Sequence, residues 1–227
     1  MTRLPVLRRI LKRFHPEGIP WPGTAVYNAV SATGIFQRNY ELVARDIAAV
    51  CPEGRLLDIG TGPGWLLLKI HQTAPRLAIT GVDISPAMVA KARENMSAAG
   101  LGPVIQVQDG SADRLPFADA AFDIVVSTGS IHHWKDPVTG INEIHRVLVP
   151  GGRALLYDIV SDTPAEVMRA GRRHFGRFQM LMLWLHAFSE PFYSQENFAS
   201  LGADSLFGKA QTRYVGVLCC LVLKKDG

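Results

Sequence analysis

The stretch LLDIGTGPGW at residues 56–65 decides the fold of this chain. It begins as a short apolar run, reaches Asp58, and then passes through Gly60, Gly62 and Gly64 into a helical pattern. A buried apolar run, a glycine turn and an amphipathic segment predict a strand, a turn and a helix in that order.

The same order recurs along the chain. Apolar runs rich in Val, Ile and Leu predict strands at residues 55–59, 77–83, 104–108, 122–127 and 153–159. Helical patterns between them predict helices at residues 65–72, 86–99 and 137–147. The second of these helices begins after Ser85, with Pro86 at its first position. Strands that alternate with helices form a parallel sheet covered on both faces, so we predict a doubly wound α/β fold.

Composition limits the class of protein. The chain has 227 residues, of which 48% are hydrophobic and 19% charged, so we expect a single domain over residues 1–227 without extensive disorder. Its apolar runs are shorter than the roughly 18 to 20 residues that a bilayer span requires. Cys51, Cys219 and Cys220 lack the spacing of a zinc or redox site. We therefore expect a soluble protein of the reducing cytoplasm.

Two basic segments account for the net charge of +4. Five Lys and Arg residues lie within the first 13 positions, and four arginines lie between positions 169 and 177. Residues 2–14 have the pattern of a short amphipathic basic helix, and we predict a helical lid over residues 1–35. Weak contact of this helix with an anionic membrane surface and simple solvation are the alternatives. The main domain lacks a basic stripe beside a recognition motif, so we expect no nucleic-acid partner.

A second segment also falls outside the alternation of strands and helices. Residues 161–205 lie between the fifth predicted strand and the C-terminal strand region, and we predict that they form a helical cap inserted between strands. The segment carries an apolar stripe of Phe175, Phe178, Met182 and Leu185. Such a stripe is core by default, and its alternative role is to line an apolar pocket for a ligand.

The predicted sheet also indicates where a ligand binds. In an open parallel sheet, ligands bind outside the carboxyl ends of the strands. Four of these ends carry small or acidic residues instead of apolar ones, and they comprise Asp58 with the glycine turn, Asp83, residues 109–112 and residues 127–134. Such groups suit a nucleoside-shaped ligand.

The glycine turn narrows the kind of ligand. A dinucleotide fingerprint needs a third glycine at the position of Trp65, and the GxxxxGK pattern of a phosphate loop is absent. Asp58 and Asp83 would repel a phosphate-bearing ligand and attract a cationic one with a free ribose diol. S-adenosylmethionine, a sulfonium with an ammonium group and an adenosine, has these properties.

Five ordered motifs resemble those of class I S-adenosylmethionine-dependent methyltransferases. They are LDIGTGPGW, GVDIS, GSADRLPFADAAFDIVVS, IHHWKDP and EIHRVLVPGG, and the resemblance covers about residues 38–160. They are most similar to the small-molecule branch that includes the ubiquinone and menaquinone biosynthesis C-methyltransferases. The resemblance implies a Rossmann-like sheet of about seven strands, mostly parallel, in which residues 214–224 supply an antiparallel C-terminal strand.

The resemblance also implies a set of cofactor-binding residues. Asp58 and the turn backbone would face the methionine moiety, and Asp83 would accept both ribose hydroxyls. The residues assigned to this end of the cofactor are Asp58, Gly60, Thr61, Gly62, Gly64, Asp83 and Ile84.

Four further residues are assigned to the rest of the cofactor. Ser111 with Ala112 would meet the adenine, and Thr128 would lie near the sulfonium end. The family usually has Asp where this chain has Ser111, so Asp109 is the alternative partner of the adenine.

The candidate site residues also have simpler interpretations. Asp58 would then cap the turn that follows it, and Asp83 would place a charge at a helix N-terminus. His132 and His133 are the candidate catalytic residues, one of them acting as a general base or contacting the acceptor. In an extended segment their side chains would point in opposite directions, and no third ligand is apparent, so we expect no metal. The alternative is that one ring packs and the other hydrogen-bonds the backbone.

These observations predict transfer of a methyl group from S-adenosylmethionine to a small, hydrophobic or anionic acceptor, with S-adenosylhomocysteine as product. A base is needed only if the acceptor must lose a proton. A sensor or partner subunit that binds the cofactor without turnover, and a methyltransferase that modifies a macromolecule, are the alternatives. The oligomeric state is left open.

Overall fold

The computed structural model describes residues 34–176, 180 and 192–227. Within these residues, the helices are α1 (Gly34–Val50), α2 (Trp65–Thr73), α3 (Pro86–Ala98), α4 (Pro137–Val147), α5 (Ala165–Phe175) and α6 (Gln195–Ala203). The strands are β1 (Glu53–Ile59), β2 (Arg76–Asp83), β3 (Gln106–Asp109), β4 (Phe122–Thr128), β5 (Leu148–Asp158), β6 (Gln211–Val215) and β7 (Leu218–Lys224). A 3-10 turn at Ile131–His133 follows β4.

One seven-stranded sheet, in the order β3-β2-β1-β4-β5-β7-β6, organises the structure. The first five strands pair in parallel, and β7 runs antiparallel to both β5 and β6. This confirms the predicted doubly wound, Rossmann-like α/β sheet with its reversed C-terminal strand. The third strand lies at Gln106–Asp109, slightly later than the predicted 104–108.

Strand pleating explains how the sheet is covered on both faces, because successive side chains point to opposite sides. Leu56 packs into a buried cluster with Ile47 of α1 and Ile70 of α2. Leu57, the next residue, packs into a second cluster that includes Ile144 of α4 and Phe198 of α6. The central strands are therefore buried on both faces of the sheet, which explains their near-continuous apolar runs.

Helix α1 is an element that the sequence analysis did not predict. Tyr40, Val43, Ala44 and Ile47 have the i, i+3, i+4, i+7 spacing that would have indicated it. The helix is tied to the sheet by one carboxylate. Asp46 accepts a hydrogen bond of 2.7 Å from the Tyr157 hydroxyl of β5 and two of 2.6 Å from the Arg213 guanidinium of β6.

The predicted lid and cap are described only in part. Residues 1–33, which include nearly all of the predicted lid, lie outside the described residues, as do Phe178, Met182 and Leu185. Within residues 161–205 the structure describes α5 and α6, and Phe175 packs in a small apolar cluster with Met180 and Val217. No helix in the described part of the chain is long and apolar enough to cross a membrane.

Removing the Asp46 carboxylate tests how strongly α1 is tied to the sheet. We expect Asp46→Ala to lower the free energy of unfolding by about 2 kcal/mol, because it leaves the buried Tyr157 hydroxyl and the Arg213 guanidinium without their acceptor. Tyr157→Phe, which removes one hydrogen bond, should cost about 1 kcal/mol. Urea titration measures both. Lys209→Ala, which removes an exposed pair with Asp226, serves as control and should change stability by less than about 0.5 kcal/mol. If Asp46→Ala and Lys209→Ala lowered the free energy of unfolding equally, Asp46 would not anchor α1 to the sheet.

Candidate functional site

The glycine turn after β1 is fastened to the end of β2. The backbone N–H groups of Gly60 and Thr61 donate to the Val82 carbonyl at 2.8 and 3.0 Å. Gly60 and Gly62 have φ values of +73° and +54°, which side-chain-bearing residues rarely adopt. A Cβ at Gly60 would also collide with the Ser130 side chain from the loop after β4. The turn therefore needs glycine both for its conformation and for the close approach of this loop.

Asp83 receives backbone hydrogen bonds on both of its carboxylate oxygens. Gly62 N–H donates to Oδ2 at 2.8 Å and Ser85 N–H donates to Oδ1 at 2.9 Å. Burial raises the pKa of Asp83; these two donors oppose the shift, and the nearby charge of Asp109 adds to it. Asp83 thus links the glycine turn to the start of α3, and each of its oxygens keeps lone-pair capacity for a further donor.

Asp58 lies beneath the glycine turn with only 2% of its surface exposed. Burial raises its pKa from 3.8 to about 7; the adjacent Thr61 hydroxyl opposes this shift and the charge of Asp83 increases it. The carboxyl is therefore poised to change protonation near neutral pH, and a cation placed beside it would favour the ionised form.

An open cleft lies at the carboxyl ends of β1, β2, β3 and β4. Among the residues predicted for the site, those that line it are Gly60, Gly62, Asp83, Ile84, Ser111, Ala112 and His133. Ile84 is 40% exposed, so it offers an apolar surface to the cleft next to the polar side chain of Asp83. The structure thus brings most of the predicted set to one cleft.

The other predicted residues do not line the cleft, and they are Asp58, Thr61, Gly64, Asp109, Thr128 and His132. A Cβ on Gly64 would approach Met96 and Ala92 of α3 at 3.0 and 3.3 Å, so this glycine permits close packing of the turn on α3. Asp109 is exposed, whereas Ser111 is at the cleft. Thr128 Oγ1 is buried and has no hydrogen-bond partner among the described residues.

The two histidines occupy a 3-10 turn, not the extended segment that the sequence analysis expected. The tighter backbone brings their rings to 4.0 Å between centroids, so the expectation that they point in opposite directions was wrong. His133 lines the cleft. His132 is 3% exposed, and its Nδ1 lies 2.8 Å from Oδ2 of Asp158, which is 1% exposed. Asp158 at the end of β5 was missed, because its pairing with His132 depends on strand order.

Several other residues line the cleft. Gly110, Gly129, Ser130 and Trp134 fall within the strand-end stretches predicted to meet a ligand, although none was assigned a role. The cleft residues outside those stretches are Ile59 of β1, Met88 of α3, Asp113, Lys135 and Asp136. Trp134 Nε1 donates to Ser130 Oγ at 3.0 Å, and a Cβ on Gly140 would strike the Trp134 ring at 2.6 Å. A glycine inside a helical pattern, as at position 140, indicates close packing and is a signal that sequence analysis could have used.

The donor set fits S-adenosylmethionine. Two carboxylates, Asp58 and Asp83, lie at the glycine turn, and such groups are the acceptors that an ammonium group and a ribose diol require. The exposed Ile84 side chain in the cleft suits an apolar nucleobase face. Among the described residues, no group of three His, Cys, Asp or Glu side chains is arranged to hold a metal ion. On this sheet order, such a cleft defines a class I S-adenosylmethionine-dependent methyltransferase.

Comparisons with known proteins agree with this class. A family profile described as a methyltransferase domain matches residues 57–156. The chain is 31% identical over 185 residues to the ubiquinone/menaquinone biosynthesis C-methyltransferase of Geotalea uraniireducens, a match covering 72% of this chain and 78% of that protein. It is 33% identical over 149 residues to the protein of that name from Geotalea daltonii, covering 65% of this chain and 62% of that protein.

A solved structure shares the fold. It is a putative S-adenosylmethionine-dependent methyltransferase from Methanococcus maripaludis, with a TM-score of 0.71 and 23% identity over 90% of this chain and 93% of that one. The chain belongs to the S-adenosylmethionine-dependent methyltransferase family, and S-adenosylmethionine is its cofactor.

The raised pKa of Asp58 predicts a pH-dependent stability. Because the folded pKa lies above the unfolded one, the folded state holds an extra proton between about pH 4 and 7, and stability falls as pH rises through this range. We expect Asp58→Asn to be as stable as wild type near pH 4. It should be more stable at pH 8 by at most about 4 kcal/mol, at about 1.4 kcal/mol per pKa unit. Urea titration across this range, without ligand, measures the difference.

Asp123→Asn is the matched control for this experiment. Partial burial opposes ionisation of Asp123, yet hydrogen bonds from Arg55 and the Arg55 charge hold its pKa below the ordinary value. Its replacement should therefore lose stability, relative to wild type, as pH rises. A stability difference for Asp58→Asn that does not grow with pH would show that Asp58 is not a buried, proton-binding carboxyl.

Proposed function

We propose that the protein transfers the methyl group of S-adenosylmethionine to a ring carbon of a small quinone-type acceptor in its reduced, hydroquinone form. The observation that carries the proposal is the cleft in which Asp83 and the glycine turn meet, with Asp58 buried beneath it. The similarity to C-methyltransferases of ubiquinone and menaquinone biosynthesis supports the choice of acceptor.

The cofactor-binding residues are proposed from their positions in the cleft. Asp83 accepts the ribose hydroxyls and Asp58 neutralises the ammonium group across the glycine turn. The remaining proposed contacts are the backbone of Gly60, Thr61 and Gly62 for the methionine end, Ile84, Ser111 and Ala112 for the adenine, and Thr128 near the sulfonium. Gly64 supports the turn by packing on α3, and Asp109 acts through its charge on Asp83.

Bound S-adenosylmethionine supplies an electrophilic methyl group, so the protein mainly aligns the acceptor and excludes water. A hydroquinone ring carbon is a strong nucleophile only when a neighbouring hydroxyl gives up its proton. A phenol has a pKa near 10, so at neutral pH a base in the protein must take that proton. His132 and His133 are the proposed candidates.

The acceptor is proposed to bind at the β4 and β5 side of the cleft. The proposed adenine contacts lie toward β3 at one end of the strand order, which leaves the ends of β4 and β5 for the second substrate. An aromatic ring lies there, since Phe192 packs on His132 with ring centroids 4.5 Å apart. An aromatic, largely apolar acceptor suits such surroundings.

Replacing Asp83 tests the cofactor site. We expect Asp83→Ala to weaken binding of S-adenosylhomocysteine by at least about tenfold, because the ribose hydroxyls lose their acceptor and the glycine turn loses its hydrogen bond to β2. Isothermal titration calorimetry gives the dissociation constant. Asp204→Ala, at an exposed helix end away from the cleft, is the control and should bind as wild type does. Unchanged affinity of the Asp83 variant would refute the ribose assignment.

Transfer of labelled methyl groups tests the reaction itself. The protein is incubated with methyl-labelled S-adenosylmethionine and a 1,4-naphthohydroquinone that carries a single prenyl group, under reducing conditions. We expect label on a ring carbon, identified by mass spectrometry, and no label when the quinone is kept oxidised. In a parallel incubation with cell extract, label in macromolecules would favour the macromolecular alternative. Cofactor binding without label in any fraction would favour a sensor or partner subunit.

A further inference from the structure

We propose that His132 and Asp158 act as a proton-accepting pair, in which Asp158 positions His132 and His132 removes the hydroxyl proton of the hydroquinone. This inference rests on the proposed function and deepens it, because it selects one of the two adjacent histidines and adds a residue that the sequence did not reveal. His133, by contrast, belongs to the wall of the cofactor cleft.

The geometry of the pair is that of an oriented imidazole. Asp158 Oδ2 lies 2.8 Å from His132 Nδ1 and also accepts the His132 backbone N–H at 3.3 Å. The other oxygen, Oδ1, accepts the Ile159 backbone N–H at 2.8 Å. The carboxylate is thus held by backbone donors on both oxygens, and it holds the ring in turn. Such support fixes both the position and the rotation of the imidazole.

The pairing also fixes the tautomer. An ionised carboxylate only accepts hydrogen bonds, so Nδ1 of His132 must carry the hydrogen. In the neutral imidazole the lone pair is then on Nε2, the nitrogen that faces away from Asp158, and this nitrogen is the proton acceptor. An imidazole that takes a proton here becomes a cation beside a buried carboxylate, which stabilises it.

Burial argues that the pair does more than hold the fold together. Both residues are almost fully buried, with exposures of 3% for His132 and 1% for Asp158. Buried ionisable pairs contribute little net stability, because the cost of removing charged groups from water offsets their attraction. A packed apolar pair of similar volume would serve the core equally well, so a buried histidine–carboxylate pair at this edge of the sheet points to a role beyond packing.

The position of the pair suits the acceptor side of the cleft. Asp158 ends β5, and His132 follows β4 by way of Gly129 and Ser130, which line the cleft. The His132 ring lies between His133, at 4.0 Å, and Phe192, at 4.5 Å between centroids. The pair is therefore one ring away from the cofactor cleft and beside an aromatic side chain of the cap.

The proton and electron movements balance. The hydroxyl proton of the hydroquinone moves to Nε2 of His132, and the ring carbon beside the resulting phenolate attacks the methyl carbon. A carbon–carbon bond forms, the carbon–sulfur bond breaks, and its electron pair stays on sulfur in S-adenosylhomocysteine. The ring then loses its C–H proton to solvent while His132 returns a proton to the oxygen. One proton is released overall and no oxidant is required.

Other titratable groups face the pair, and they define the pH range of a test. His133 is on the same turn, Tyr193 lies beside Asp158 on the cap side, and Cys219 of β7 is opposite Asp158. Burial and the Asp158 charge raise the pKa of Tyr193 to about 12. Burial, the Asp162 charge and the Asp158 charge raise the pKa of Cys219 to about 11. Neither group titrates below about pH 9, so histidine ionisation can be followed between pH 5 and 9.

The tautomer is measured without cofactor or acceptor. In protein labelled with ¹⁵N at its seven histidines, His132 is assigned by comparison with His132→Gln. We expect its Nδ1 to be protonated and its Nε2 to have the shift of an unprotonated nitrogen at pH 8. Asp158→Asn should reverse this, because the Asn amide can donate to Nδ1 and so favour a hydrogen on Nε2. An Nε2-protonated ring in the wild type would overturn the proposal.

Kinetics with the prenylated naphthohydroquinone separate a base from a structural residue. At saturating cofactor and acceptor we expect His132→Gln and Asp158→Asn to lower kcat by about 100-fold or more at pH 7.5. Their affinity for S-adenosylhomocysteine should be close to that of wild type. The residual kcat of His132→Gln should rise steeply from pH 7 to 9, because ionisation of the acceptor in solution then replaces the missing base. A merely structural role predicts no such rise.

His145→Gln and Asp123→Asn are the matched controls. His145 packs on Phe207, and Asp123 pairs with Arg55 at the opposite end of the sheet, so both variants should keep wild-type kcat. Full activity of a folded His132→Gln protein would overturn the proposal and leave the proposed function intact. A wild-type protein that binds S-adenosylhomocysteine but does not methylate the hydroquinone would instead contradict the proposed function. In that event there is no hydroquinone proton for His132 to accept, so the proposed role of the pair fails with the proposed function, whatever tautomer is measured.

Discussion

The hydrogen bond from the Gly62 backbone to the Asp83 carboxylate is the contact on which the site depends. It joins the turn after β1 to the end of β2, and the same carboxylate holds the start of α3 through Ser85. The turn can follow this path because its glycines adopt positive φ and because Gly60, which lacks a Cβ, leaves room for the Ser130 side chain. Three connections at the carboxyl edge of the sheet are thereby fixed relative to one another, and the cleft is the space they enclose.

The candidate site places ionisable side chains in the protein interior, and their burial is unfavourable for stability. Asp58, Asp83, His132 and Asp158 are all buried, each less than a tenth exposed, at the edge where the strands end. Burial raises the pKa of both Asp58 and Asp83, which means that the empty protein opposes their ionisation. A cation bound beside these carboxylates would relieve that cost. The burial of these ionisable side chains therefore offsets part of the stability that the apolar interior supplies.

The sequence predicted the sheet well because burial on both faces leaves a simple signal of continuous Val, Ile and Leu runs. Asp83 and Ser111 were also predictable, since they lie at or just after the end of a strand and the carboxyl ends meet at one edge. Ile84 was assigned from the family resemblance alone. Helix α1 was missed although its apolar spacing was present. The pairing of His132 with Asp158 was beyond sequence reasoning, because it links residues 26 positions apart through the parallel register of β4 and β5.

The place of β7 has a consequence for synthesis of the chain. This strand is the last in sequence among the described elements, yet it lies inside the sheet, between β5 and β6, with Cys219, Cys220 and Leu221 fully buried. Until residues 218–224 have been made, the edge of β5 that β7 covers has no partner for its backbone hydrogen bonds. An open, hydrophobic strand edge is a template for wrong pairing. This edge of β5 is thus open to wrong pairing until β7 has been made and has paired with it.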